Sequence, residues 1–188
     1  MCKRSVSLML CLVMSIALPA VACLHETVTK ENPEIKIELT SASFKDGEAI
    51  PAKHTCDGED SSPALKWTGL PNKAKSLALI CDDPDAPIGT WVHWVLYDLP
   101  PTLSALSEAI PSSESIPEGA RQGTNDFKRI GYGGPCPPPG NPHRYFFKLY
   151  ALDTRLDLKP GAPKVDLEIA MKGHILAQGQ LMGTYKRR

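Results

Sequence analysis

Two short proline-rich segments carry most of the side chains in this chain that could do chemistry. The first is Asp83-Pro84-Asp85-Ala86-Pro87, and the second runs from Gly134 to Tyr145 and contains His143. Because proline fixes φ and removes a backbone donor, both segments are predicted to be turns or extended coil. Polar groups on such a stiff backbone need little further ordering when a ligand arrives. We therefore expect a small, rigid, polar site.

The reactive side chains of this expected site belong to three predicted strand ends. They are Asp83, Asp85, His93, His143 and the phenol Tyr145. Residues at the strand ends of an antiparallel or Greek-key sandwich gather at one end of the sheets, so a cluster is expected. Each residue also has a purely structural alternative. Aspartate beside proline initiates turns, and a strand histidine or tyrosine can simply be packed and hydrogen-bonded.

The elements that must position these residues are strands, because the dominant hydrophobic period is two. The continuous apolar run from Ser76 to Asp82 predicts an interior strand, and the segments Trp91–Leu99 and Arg144–Leu152 alternate. One helix is predicted, with Asp166 as its cap and the segment up to Gln178 within it. The sequence therefore predicts a mostly β single domain with a C-terminal helix.

Strict alternation also assigns faces to these elements. On the strand that begins at Trp91, one face would carry His93, Val95 and Tyr97, and the other Val92, Trp94 and Leu96. The later strand would bring together His143, Tyr145, Phe147 and Leu149. The helix would bury one face made of Leu167, Ala170, Met171, His174, Ile175 and Gln178, and Gly179 and Gly183 suit its termination.

The first 22 residues have the pattern of a signal peptide. A basic start is followed by an apolar run, Val6 to Leu18, that is too short to span a bilayer, and then by Ala20-Val21-Ala22. Ordinary cleavage after Ala22 and lipid attachment at Cys23, as in a bacterial lipoprotein, are both open. We predict an exported bacterial protein, either periplasmic or lipid-anchored to the cell envelope.

The predicted domains are a signal peptide at 1–22, a tether and first strand region at 23–37, and one folded domain at 38–188. Without the signal, 19 basic residues face 21 acidic ones, a net charge near −2. This balance predicts no nucleic-acid partner, and membrane contact only through a lipid at Cys23.

The order of the motifs from about Ser41 to Tyr185 resembles the phosphatidylethanolamine-binding protein family, in its bacterial Raf-kinase-inhibitor-like branch. The resemblance is carried by Asp83–Pro87, Trp91-Val92-His93-Trp94, Gly131–Gly140 and His143-Arg144-Tyr145. It implies a Greek-key β-sandwich with short peripheral helices and a small anion-binding cavity. The expected ligand is a small phosphorylated or carboxylate molecule.

By position, the resemblance implies a set of ligand-binding residues and two wall residues. The binding residues are Asp83, Asp85, His93, Gly134, Pro135, His143 and Tyr145, and the walls are Pro87 and Trp91. Since a carboxylate lies beside the anion, we hypothesise that Asp83 raises the pKa of an imidazole, so that His93 or His143 is charged and donates. Backbone N–H groups around Gly133-Gly134 would add donors.

Other functions remain open for the same residues. An Asp/His hydrolase is an alternative, although no nucleophile motif or phosphate-binding loop is present. A metal site from Asp83, Asp85, His93 and His143 has suitable ligand types, but its spacing does not favour metal. We predict a binding or inhibitor-like protein with no cofactor. Some members of the family restrain kinases or proteases, so an unidentified protein partner is included in the prediction.

Export would also permit a disulfide bond. Cys56 and Cys136 both lie in predicted loops beside the site motifs, and a bond between them would stiffen the site wall. The alternative, that both are free, stays open. Cys81, within the interior strand, is predicted to be a packed free thiol.

Overall fold

The computed structural model describes residues 36–117 and 119–187, which form a sandwich of two antiparallel sheets. The smaller sheet has the order β1-β2-β5, and the larger has the order β6-β4-β3-β7-β8. The strands are β1 Glu38–Ser41, β2 Leu65–Thr68, β3 Ser76–Asp83, β4 Trp91–Leu99, β5 Ala105–Leu106, β6 Arg121–Gln122, β7 His143–Leu152 and β8 Ile175–Tyr185. Within these two ranges there is one helix, α1, which spans Lys164–Met171, and a 3₁₀ turn that spans Ala52–His54. The mostly β prediction is confirmed, whereas the predicted signal peptide and Cys23 lie outside the described residues.

The centre of the larger sheet is β3, and every residue of this strand is buried. One face of β3 packs into the core between the sheets, where Leu79 and Phe147 are clustered with Trp67 of the smaller sheet. The other face packs under α1, where Ile80 is clustered with Leu167. Burial on both faces explains why the sequence of this strand is continuously apolar rather than alternating.

The predicted helix is correct in place but too long. The helix α1 begins after Pro163 and ends at Met171, so Asp166 lies in the first turn and is not the cap. Its buried residues are Leu167 and Met171, as predicted. Within the described residues, no helix has the length and apolar character needed to cross a membrane.

The residues after α1 form the longest of the described strands rather than the end of a helix. Gly173 turns the chain with φ of 84°, a left-handed conformation that favours glycine, and β8 then pairs with β7 along its length. A Cβ on Gly179 would overlap the carbonyl oxygen of Ile37, and one on Gly183 would meet the side chain of Ile50 at 2.5 Å. These glycines therefore allow close packing of neighbouring chain rather than helix termination.

Candidate functional site

A cavity of about 440 Å³ opens where β3 ends and where β4 and β7 begin. Its polar lining residues are Asp83, His93, His143, Tyr145 and Arg187, and its other lining residues are Ala86, Pro87, Ile88, Trp91, Phe127, Cys136, Pro137 and Pro138. The two proline-rich segments thus form parts of one cavity. The antiparallel order of the strands brings the two segments to the same end of the larger sheet.

Asp83 is the last residue of β3 and anchors the site. It is 3% exposed, and its Oδ2 accepts a hydrogen bond of 2.8 Å from Nδ1 of His143. Its Oδ1 accepts a hydrogen bond of 2.8 Å from the backbone N–H of Asp85, which closes the turn after the strand. Both oxygens are therefore engaged, and the ring of His143 is held with Nε2 away from the carboxylate.

His93 reaches the cavity because of a β-bulge. Cys81 pairs with Trp94 and Asp82 pairs with Val92, so His93 is the unpaired extra residue of β4. The bulge breaks the predicted alternation at this end of the strand, because Val92 lies with Val95 and Tyr97 in the core under α1 rather than with Trp94 in the core between the sheets. His93 is therefore not on the face of Val95 and Tyr97.

The ring of His93 is fixed by backbone and by aromatic neighbours. Its Nδ1 donates a hydrogen bond of 2.6 Å to the carbonyl oxygen of Gly133, and it packs edge-on against Tyr145 and Phe127 at centroid distances of 5.1 and 5.3 Å. Burial lowers the pKa of His93, and the hydrogen bond to Gly133 only partly offsets this effect. The ring is thus neutral near pH 7, in contrast to the hypothesis of a charged His93.

Tyr145 contributes a buried hydroxyl that lacks a hydrogen-bond partner among the described residues. Burial raises the pKa of this phenol, and the charge of Asp83 adds to the effect, so the hydroxyl keeps its proton. A buried hydroxyl without a partner is costly, which is a reason to expect a ligand or water at this position.

Gly134 and Pro135 lie behind the cavity wall rather than in the lining. The N–H of Gly134 donates to Oδ1 of Asp60 at 2.6 Å, and the carbonyl oxygen of Pro135 accepts from the N–H of Cys56 at 3.1 Å. The N–H of Gly133 is also engaged, since it donates to the carbonyl oxygen of His93 at 2.9 Å. The donors predicted around Gly133-Gly134 are therefore occupied by the protein itself.

The hypothesis that Cys56 and Cys136 are bonded is confirmed. Their disulfide joins the loop after the 3₁₀ turn to the proline-rich segment, with the two Cα atoms 5.4 Å apart. Cys136 and the next two prolines line the cavity, so the bond holds one of its walls. Cys81 is buried and free, as predicted.

Asp85 supports the turn from outside the lining. Its carboxylate accepts hydrogen bonds from the backbone N–H, Nε and Nη2 of Arg144 at 2.9, 2.9 and 2.7 Å. The hydrogen bond to the Arg144 side chain is the main cause that lowers the pKa of Asp85 to about 2. This pair ties the turn after β3 to the start of β7.

We expect Asp85→Asn to lower stability at pH 5 but not at strongly acidic pH. Because the folded pKa of Asp85 lies below its ordinary value near 4, the ionised pair stabilises the fold above about pH 4 and is lost as pH falls towards about 2. The two side chains are 27% and 52% exposed, so solvent screening limits the effect to about 1 kcal/mol. Urea unfolding of both proteins across this range tests the prediction, and a difference that does not shrink with acidity would contradict it.

Outside the two proline-rich segments, sequence reasoning missed three lining residues, Ile88, Phe127 and Arg187. Phe127 packs against Trp91 with ring centroids 5.4 Å apart and so completes the wall beside His93. Arg187 reaches the mouth from beyond β8, where its Nε donates to Oδ1 of Asp57 at 3.1 Å. The predicted wall residues Pro87 and Trp91 do lie in the lining. Neither Phe127 nor Arg187 belongs to a local motif with His93 or His143.

The four residues considered as metal ligands are not arranged for that purpose. Asp85 is paired with Arg144, and Asp83 is engaged by His143. Within 36–117 and 119–187, no group of three or more His, Cys, Asp or Glu side chains is placed to hold a metal ion. The geometry favours a cavity for a small polar molecule.

Comparisons with known proteins agree with this architecture. A family model described as phosphatidylethanolamine-binding protein matches residues 40–186. A UPF0098 protein of Methanothermobacter thermautotrophicus is 54% identical over 151 residues, which cover 80% of this chain and 99% of the relative. Among solved structures, a phosphatidylethanolamine-binding protein homolog from Chlamydia trachomatis has a TM-score of 0.75 at 43% identity, covering 82% of this chain and 99% of its own. Escherichia coli YbcL, described as a new member of the mammalian family, has a TM-score of 0.76 at 32% identity. The match covers 81% of this chain and 99% of the YbcL chain.

Proposed function

The chain belongs to the phosphatidylethanolamine-binding protein family, and on that premise we propose that its cavity binds a small oxyanion. The ligand is inorganic phosphate or the phosphate or carboxylate group of a larger molecule. Export to the periplasm or the cell envelope, with or without a lipid at Cys23, is part of the proposal and rests on the sequence of residues 1–23. Modulation of a protein partner is the part of the proposal that rests on family resemblance alone.

The observation that carries the proposal is the unpartnered hydroxyl of Tyr145 at a cavity that three strands build together. This hydroxyl is buried and keeps its proton, and although the Asp83 carboxylate lies close to it, no acceptor among the described residues is placed for a good hydrogen bond. An oxyanion supplies the missing acceptor. The cavity, at about 440 Å³, also has room for a substituent on the anion beside the apolar walls of Trp91 and Phe127.

The carboxylate of Asp83 is compatible with a bound anion because both of its oxygens already accept hydrogen bonds from the protein. Its Oδ2 accepts from Nδ1 of His143, so the Asp83–His143 pair presents Nε2 of the ring to the ligand. When the ring is protonated, Nε2 is a donor and the pair is close to neutral. At the mouth, Arg187 is paired with Asp57, and its guanidinium has further N–H donors for a ligand.

We expect Tyr145→Phe to weaken phosphate binding about five- to tenfold, because it removes one hydrogen-bond donor and little volume. Isothermal titration calorimetry of the purified protein with inorganic phosphate measures this loss. Tyr150→Phe is the matched control, since Tyr150 lies on the same strand, packs against the core under α1 and does not line the cavity. Equal affinity of the Tyr145→Phe variant and the wild type would contradict the proposed role of the hydroxyl.

Mass spectrometry of small molecules that co-purify with the mature protein can identify the natural ligand. We expect a phosphorylated or carboxylate compound that is absent from a His143→Ala preparation. Recovery of the same compounds from both preparations would contradict the proposed site.

A hydrolase is the second candidate, and the Asp83–His143 hydrogen bond of 2.8 Å favours it. A carboxylate that orients an imidazole is the arrangement of a general base, which here would activate a water molecule. Turnover of a phosphate or carboxylate ester that disappears in His143→Ala would establish this activity.

A further inference from the structure

The imidazole of His93 is locked in one tautomer by the backbone. A carbonyl oxygen only accepts hydrogen bonds, so the contact of 2.6 Å with Gly133 places the proton on Nδ1. The N–H of Gly133 donates back to the carbonyl oxygen of His93 at 2.9 Å, so the two residues hold each other in register. In the neutral ring, Nε2 therefore carries a lone pair and acts as an acceptor.

The surroundings of His93 keep the ring neutral. Asp83 on β3 and Asp60 behind the proline-rich wall carry the charges that face it, and both favour a protonated ring. Tyr145 on β7 and Phe127 are uncharged and cover its two edges. Burial outweighs the two carboxylates, so the pKa of His93 is lowered.

The inner cavity thus presents acceptors as well as donors to a ligand. Nε2 of His93 makes no hydrogen bond with the described residues, and it is not shut off from solvent. The hydroxyl of Tyr145 donates, and Asp83 contributes a nearby negative charge. An anion without a proton would accept the hydrogen bond from Tyr145. Its oxygen lone pairs would, however, face the lone pair on Nε2 of His93 and be repelled by it.

We propose that the cavity selects oxyanions that still carry a proton, with the ligand O–H donating to Nε2 of His93 while other ligand oxygens accept from Tyr145 and His143. The proposal rests on the proposed oxyanion function and names the chemical class of its ligand. It identifies His93 as the residue that sets the ligand's protonation state. Hydrogen phosphate and the monoanion of a phosphate monoester fit, whereas sulfate and the dianion of a monoester do not.

Three probes test this selectivity: inorganic phosphate, ethyl phosphate and sulfate. Between about pH 5 and pH 8, both phosphates gain one negative charge, since monoesters ionise near about pH 6. Inorganic phosphate nevertheless keeps one O–H at both pH values, whereas ethyl phosphate loses its last one. The ratio of the two affinities at one pH cancels any change in the protein's own charge between the two pH values. Any steric effect of the ethyl group is the same at both pH values.

We expect the preference for inorganic over ethyl phosphate to rise about tenfold or more from pH 5 to pH 8, because an unmade hydrogen bond at a buried acceptor costs affinity of that order. Sulfate is expected to bind at least about tenfold more weakly than inorganic phosphate at both pH values. A ratio of the two phosphates that stays constant, or sulfate binding equal to that of phosphate, would overturn the selectivity and leave the oxyanion function standing. Failure of all three probes to bind at either pH would overturn both.

Two further measurements assign the effect to His93. In His93→Gln, the amide can turn an N–H towards the ligand, so the preference for phosphate over sulfate should fall towards one. Tyr145→Phe is the control, because it should weaken both ions by similar factors and leave their ratio unchanged. Should His93→Gln fail to fold, ¹⁵N NMR of the wild-type imidazoles decides: with phosphate bound, His93 is expected to remain neutral with its proton on Nδ1, and a charged ring would refute the proposal.

Discussion

Replacement of both Cys56 and Cys136 by serine is expected to lower the free energy of unfolding by about 4 kcal/mol. The two residues are 80 positions apart, so their bond closes a long loop and removes much of the conformational entropy of the unfolded chain. The replacement should also weaken ligand binding, because the disulfide holds the cavity wall that Pro137 and Pro138 form. Chemical denaturation gives the loss in stability, and phosphate titration gives the loss in affinity.

A reducing agent provides the control for this prediction. It should destabilise the wild type by a similar amount and leave the double serine variant unchanged. If the wild type unfolds at the same denaturant concentration with and without reductant, under conditions in which free-thiol assays show the bond to be reduced, the disulfide is not a major source of stability.

The second large effect is expected for Asp83→Ala, with a loss of about 3 kcal/mol in stability. Truncation leaves the N–H of Asp85 and Nδ1 of His143 without the acceptor that each has now at 2.8 Å. Breaking a buried pair costs about 3–5 kcal/mol, and the lower value is expected here because His143 lines the cavity. Phosphate affinity should fall at least about tenfold, since the ring of His143 is no longer held in place.

Asp85→Ala is the matched control for Asp83→Ala. It removes a carboxylate two residues away that pairs with Arg144 and does not line the cavity. Because that pair is partly exposed, its loss should cost no more than about 1 kcal/mol. Similar losses in the two variants would show that the burial of Asp83 and its pairing with His143 are not what stabilises this end of the sheet.

Much of the fold was predictable because its strands follow the hydrophobic pattern. The apolar run of β3 and the alternation of β7 each identify a strand and its buried face. The first part of β8 was wrongly predicted to be helix. One reason is that two buried positions of this strand, Gly179 and Gly183, are glycines and give no hydrophobic signal. Ile37 and Ile50, which need the space beside those glycines, lie more than a hundred residues earlier in the chain.

The sequence predicted which residues meet at the site, but not their protonation states or their hydrogen-bond partners. The motif order indicated Asp83, His93, His143 and Tyr145, and the antiparallel order of the strands explains their meeting. The protonation of His93 was not predictable, because it depends on a backbone contact with Gly133, which lies 40 residues further along the chain. Likewise, the N–H of Gly134 is bonded to Asp60, which no local pattern connects to it.

The bulge at His93 makes the imidazole of the cavity separable from the rest of the fold. Since His93 has no partner in β3, a relative that lacks one residue here would keep every paired position of the strand and every core contact of Trp94 and Val95. Such a relative would align along its whole length with a one-residue gap and would retain the sandwich without the imidazole.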